Sequence, residues 1–142
     1  MSKLLDANVL LALVHERHEN NTLVRDWLDA QSDLSCGCCR VTQMALLRHL
    51  TNQHIMKADV LSQTAAWAAY DLMFSDSRFM WMEEPDTLEK QWRMLTQSPH
   101  PRHALWTDAY LAVFAIEGDH AMVSFDTDFR GFAGLNLELL TS

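Results

Sequence analysis

Lys3-Leu4-Leu5-Asp6-Ala7-Asn8-Val9-Leu10 joins a short apolar run to an aspartate and then to a stretch with helical spacing. Lys3 to Asp6 reads as a buried strand ending on the acid. Val9 to Glu16 reads as a helix, with Val9, Leu10, Leu13 and Val14 on one stripe. A strand that ends on an acid and hands over to a helix is the unit of a parallel α/β sheet, whose carboxyl edge gathers functional groups. The pattern recurs far along the chain. Val123-Ser124-Phe125-Asp126-Thr127-Asp128-Phe129 places acids just past an apolar strand. Thr107-Asp108-Ala109-Tyr110-Leu111-Ala112 places one in the first turn of an apolar helix.

The intervening sequence alternates in kind. Asn20-Asn21 caps a second helix in which Leu23, Val24, Trp27 and Leu28 recur at helical spacing. Leu34 to Cys39 reads as a strand, Thr42 to Leu50 as a helix, and Lys57 to Phe74 as one longer alanine-rich helix. Phe79 to Met82 is a short strand stopped by Glu83-Glu84-Pro85, and Asp86 or Thr87 caps a helix that runs toward Gln97. Ser98-Pro99-His100-Pro101 is a loop, Asp108 to Glu117 a helix with Gly118 as its C-cap, and Ala121 to Phe125 a buried strand. Leu135 to Leu140 alternates apolar and polar residues, as an edge strand does. The expected fold class is α/β around a central, mainly parallel sheet, with residues 1–142 as one domain.

Composition narrows the function. Hydrophobic residues make up 49 % of the 142, enough for a well-formed core. No apolar run approaches the ~20 residues that span a bilayer. Met1-Ser2-Lys3-Leu4-Leu5-Asp6 meets an acid at once, unlike a secretory signal, so a cytoplasmic location without membrane association is expected. A net charge of −8 argues against gripping nucleic acid by a broad basic surface. It leaves open an enzyme that reaches a phosphodiester through a metal. Cys36, Cys38 and Cys39 are bunched without a second ligand pair, so they read as buried free thiols, not a zinc site.

Each acid has a structural role open to it. Asp6 can cap a helix, although Asn8 can do so too. Asp108 suits a helix N-terminus, with Thr107 as the N-cap, and Asp126 suits an Asp turn. Three such acids at equivalent topological positions point to a shared site. Ser124 and Thr127 add hydroxyls there, and clustered carboxylate oxygens suit Mg²⁺ or Mn²⁺.

The order Asp6-x-Asn8-Val9-Leu10-Leu11, then the Thr42 to Arg48 helix with Leu46-Leu47-Arg48, then Thr107 to Ala112, then Ser124-Phe125-Asp126-Thr127-Asp128-Phe129, resembles the PIN domain. It is most similar to the VapC-type toxin ribonucleases of bacterial toxin–antitoxin modules. The resemblance spans Asp6 to Phe129 and implies a PIN-like α/β/α sandwich with Mg²⁺- or Mn²⁺-dependent endoribonuclease activity. It implies that Asp6, Asp108 and Asp126 are catalytic metal ligands, with Asp128 auxiliary and Asn8 and Thr107 as polar neighbours. It implies an RNA substrate, a cognate antitoxin and a homodimer. One departure stands out: Gln43 occupies a position where the family often carries Glu, so the site lacks one anion and is expected to hold metal more weakly. Arg48, Arg102 and His103 are RNA-binding candidates, and Trp106 lies beside the site. His15 and His18 are candidates to flank an RNA groove.

The alternative is a degenerate PIN fold that binds RNA or protein without cutting. A phosphatase or receiver domain fits less well. The first wants D-x-D after strand one, where this chain has Asp6-Ala7-Asn8, and the second wants a lysine at a late strand end, where the chain has none after Lys90.

Overall fold

The computed structural model describes residues 1–141. Five strands form one sheet: β1 (Lys3–Leu5), β2 (Cys36–Cys38), β3 (Phe79–Trp81), β4 (Ala121–Ser124) and β5 (Leu137–Leu139). Every strand pairing is parallel and the order is β3-β2-β1-β4-β5. The chain builds outward from β1 to β3 and then crosses back to lay β4 on the other side of β1. The strand order therefore reverses between β1 and β4, and their carboxyl ends open a crevice.

The helices are α1 (Ala7–Val14), α2 (Asn21–Asp29), α3 (Arg40–Leu50), α4 (Gln53–Met56), α5 (Gln63–Phe74), α6 (Leu88–Leu95) and α7 (Leu105–Glu117). Side chains alternate across the strands and divide the core in two. Leu5, Cys36, Cys38, Phe79 and Val123 pack with α1, α2, α3 and α5. Leu4, Met122 and Met80 pack with α6 and α7. The result is the expected α/β/α sandwich. Leu4, Leu5, Met122 and Val123 are fully buried, and each contributes about 1.5–3 kcal/mol through removal from water. Gly37 is needed at the centre of β2, because a Cβ there would lie 2.4 Å from the Met80 carbonyl oxygen.

Several boundaries differ from the sequence reading. The stretch Lys57 to Phe74 is not one helix. Lys57 has φ +53, a 3₁₀ turn covers Lys57–Asp59, and Ser62 starts α5 afresh by accepting from the Ala65 amide. The Leu61 amide meanwhile donates to the Leu50 carbonyl, so tertiary contact overrides the run of helix formers. α1 begins at Ala7 and ends at Val14, because Asp6 caps it and His15 is extended. Asn20 holds the N-cap position of α2 without a side-chain bond. Asn21 is buried and instead donates to the carbonyls of Ala12 and Leu13 at the end of α1, at 2.8 and 3.2 Å. Gly118 ends α7 with φ −85; a Cβ there would come within 2.7 Å of the His120 ring, and Asp119 takes the left-handed turn.

The three cysteines are free and buried, as expected. Burial pushes the Cys38 thiol up to about 11, which keeps it protonated and unreactive at neutral pH. No helix among the described residues is long and apolar enough to cross a membrane.

Candidate active site

β1 delivers Asp6 to the crevice, and its extended backbone makes it the N-cap of α1. One carboxylate oxygen accepts from the Ala7 amide at 2.8 Å, and the other accepts from the Ser124 hydroxyl at 2.7 Å. Capping thus falls to Asp6 itself. Asn8, which the sequence offered as an alternative cap, lies inside α1 and reaches across to the Phe125 amide and the Ser124 hydroxyl, at 3.4 Å each.

Ser124 ends β4, is fully buried and ties the two sides of the crevice together. Besides bonding Asp6, its oxygen accepts from the Asp126 amide at 2.9 Å. The Asp126 carboxylate accepts from the Asp128 amide at 2.9 Å and caps the 3₁₀ turn Thr127–Gly131. The Asp turn and the shared site coexist. Asp108 arrives from the other face of the sheet on α7. That helix starts at Leu105 with Ala104 as its cap position, so Thr107 is an exposed residue of the first turn and not the N-cap.

Burial and mutual charge act on two of these acids. Burial pushes the Asp6 carboxyl up; the Ser124 and Ala7 bonds draw it back, and the charge of Asp126 adds to the rise. The Asp108 carboxyl is also raised, first by burial and then by the charges of Asp126, Asp6 and Asp128. Asp108 thus lies within electrostatic reach of the other three acids, and no ion pair among the described residues involves any of the four. His49, on α3, is half-buried and also within electrostatic reach of Asp6. Burial and Arg48 lower its proton affinity, while Asp6 raises it. Nothing in the sequence around His49 marked it, because the contact depends on how α3 crosses α1.

The donor set suits a hard divalent cation in kind: it is anionic, all oxygen and engaged in no ion pair among the described residues. Its arrangement is open. Among the described residues no three His, Cys, Asp or Glu side chains converge closely enough to hold one ion. A metal bound here would draw the carboxylates inward.

The remaining candidates divide. Arg102 and His103 line a depression of about 550 Å³ with Asp108, Asp128 and Phe132. Trp106 is 55 % exposed on the adjoining surface, beside Arg102, His103 and the Pro99–Pro101 loop. Arg48 is exposed next to His49. Gln43 is buried, and its amide oxygen accepts from Arg40 Nη1 at 2.7 Å. His15 and His18 do not border this site. His15 closes the far end of α1, about 13 Å along the helix from Asp6, and is bonded to Asp59.

A family model described as "PIN domain" matches residues 3–135. The chain is 39 % identical over 142 residues to Ribonuclease VapC41 of Mycobacterium tuberculosis, covering 96 % of this chain and 97 % of that protein. Among solved structures, VapBC2 from Rickettsia felis, bound to a DNA fragment from its promoter, matches with TM-score 0.70 at 13 % identity, over 99 % of this chain and 100 % of that one. A toxin–antitoxin complex from Klebsiella pneumoniae matches with TM-score 0.62 at 17 % identity, over 94 % and 95 %.

Proposed function

The chain belongs to the PIN-domain family, and on that premise we propose that it is a metal-dependent endoribonuclease, the toxin of a type II toxin–antitoxin pair. The observation that supports the reading is the placement of Asp6 at the end of β1 and Asp126 just past β4, where the strand order reverses, with Asp108 on α7 within electrostatic reach of both and none of the three in an ion pair among the described residues. Similarity along the whole chain to a protein named a ribonuclease supports the same activity here. Retention of the three acids favours it over a fold that binds without cutting.

Asp6, Asp108 and Asp126 are the proposed ligands of Mg²⁺ or Mn²⁺, with Asp128 close by. The ion, when bound, supplies activation of a water and neutralises charge on the phosphoryl oxygens. The protein's part is positioning. Ser124 and the Ala7 amide fix the Asp6 carboxylate, and the Asp128 amide fixes that of Asp126. Asp108 takes no side-chain hydrogen bond among those observed, so it is the carboxylate most able to move onto an incoming ion. Arg102 and His103 face the RNA backbone across the depression they share with Asp108. An antitoxin protein partner is inferred from the toxin–antitoxin neighbour, and a homodimer and cytoplasmic action from the family resemblance.

The test is cleavage of RNA by the purified protein with Mg²⁺ or Mn²⁺, beside Asp108→Asn. Cleavage by the wild type and none by the variant is expected. Equal rates would overturn the assignment of Asp108.

A further inference from the structure

Arg40 is the first residue of α3, directly after β2, at the same sheet edge as Asp6. The register sets Lys3 beside Cys36 and Leu4 beside Gly37, and Cys38 beside Trp81. Along that edge the chain thus presents Trp81, Arg40, Asp6 and then Asp126. The Arg40 guanidinium lies 4.7 Å from the centroid of the Trp81 ring. It donates to the Gln43 amide oxygen at 2.7 Å. Lys3, Arg17, Arg78 and Arg93 are each matched to a carboxylate. Arg40 is exposed, takes part in no ion pair among the described residues and has an uncharged polar partner.

This gives a physical reading of the missing acid. Glu in place of Gln43 would put a carboxylate within bonding distance of Arg40 and cancel its charge. Gln holds the guanidinium in the same orientation by a neutral acceptor and leaves the charge intact. Stacking on Trp81 limits its movement further. We propose that Arg40, oriented by Gln43 and Trp81, is a phosphate-binding position for the RNA strand on the β2–β3 side of the aspartates. With Arg102 and His103 on the opposite side, the strand would be held at both flanks of the site. In a chain of net charge −8 such local cations, not a basic surface, must provide the grip.

The inference rests on the ribonuclease reading for its ligand, but its test needs no cleavage. A fluorescently labelled single-stranded RNA of mixed sequence is titrated into Asp108→Asn protein in EDTA, across a range of salt concentrations. Arg40→Met, which keeps an apolar stem on Trp81, is expected to weaken binding about tenfold at low salt. It should also reduce the slope of log affinity against log salt by roughly 0.7, the value for one phosphate contact on a single strand. Gln43→Glu should reproduce the smaller slope. Arg40→Lys should keep the slope and bind more weakly than wild type, since it retains charge without the planar stack. Thermal unfolding of each variant identifies any that fail to fold, and Gln43→Glu supplies the answer if Arg40→Met is one of them. Unchanged affinity and slope in folded Arg40→Met and Gln43→Glu would overturn the proposal. The ribonuclease reading would survive that result; it fails separately, if wild-type protein does not cleave.

Discussion

Replacing Ser124 with Ala removes the hydroxyl that joins the two halves of the crevice. That hydroxyl is fully buried, donates to the Asp6 carboxylate at 2.7 Å and accepts from the Asp126 amide at 2.9 Å. A bond to a charged acceptor is worth about 1.5–3 kcal/mol and a neutral one about 1 kcal/mol, so the loss at neutral pH is about 2–4 kcal/mol. For a chain of this length that lowers Tm by roughly 6–14 °C. The pH dependence has a definite sign. Asp6's carboxyl is raised by burial, so its charged form costs stability above the ordinary carboxylate value, and the cost disappears as pH falls through the raised value. The Ser124 bond offsets part of that cost by stabilising the charged form. Ser124→Ala should therefore raise the Asp6 carboxyl further. Its deficit should be full at neutral pH and should shrink toward the Asp126 contact alone as Asp6 becomes protonated. Thermal unfolding followed by circular dichroism, from neutral pH down to about pH 4, measures this. A deficit under about 0.5 kcal/mol, within the range of ordinary surface changes, would mean that Ser124 does not join the two carboxylate supports. So would a deficit that stays constant as the pH falls.

Asp108→Asn is expected to lower RNA cleavage by at least about a hundredfold, the scale on which loss of a charge-stabilising group acts. The same variant should be more heat-stable than wild type at neutral pH, because it removes a carboxylate raised by burial and by three neighbouring acids. That advantage should fade as pH falls through the raised value and the wild-type acid is protonated. Gly37→Ala forces a Cβ to 2.4 Å from the Met80 carbonyl oxygen and should destabilise by about 3 kcal/mol in chemical denaturation. Asn21→Ala leaves the Ala12 and Leu13 carbonyls without their donor and should cost about 1–3 kcal/mol, with RNA cleavage per folded molecule unchanged.

The sequence made the strands and the acids legible for one physical reason: both depend on local pattern. Apolar runs at β1 and β4 announce themselves, and an acid at the end of each has few places to go but the sheet edge. The helix starts were harder. Thr107 looks like a cap, yet α7 begins a turn earlier at Leu105, where Ala104 provides no side chain to recognise. Ser62 was hidden by the alanine-rich run that follows it, although its hydroxyl caps α5. Asn21 reads as a cap in sequence and acts as a tertiary clamp on α1, a distinction set by burial. At the site, the topology puts Asp6 and Asp126 at the ends of adjacent strands and Asp108 within electrostatic reach of both, and their sharing of an ion is a proposal. The roles of His49, Arg40 and Gln43 were not legible, because they depend on the crossing of α3 over α1 and on the approach of Trp81 from a separate strand. Ser124 was noticed for its hydroxyl, but its three-way bonding emerges only when β1 and β4 lie side by side.

A divalent ion shared by Asp6, Asp108 and Asp126 is the proposal on which the chemistry depends. An anomalous-difference map from a crystal soaked in Mn²⁺ tests it most directly. One strong peak is expected at about 2.0–2.3 Å from oxygens of these carboxylates, the range for small hard divalent ions. Saturating Mn²⁺ with no peak there, or a peak bound by other residues, would contradict it.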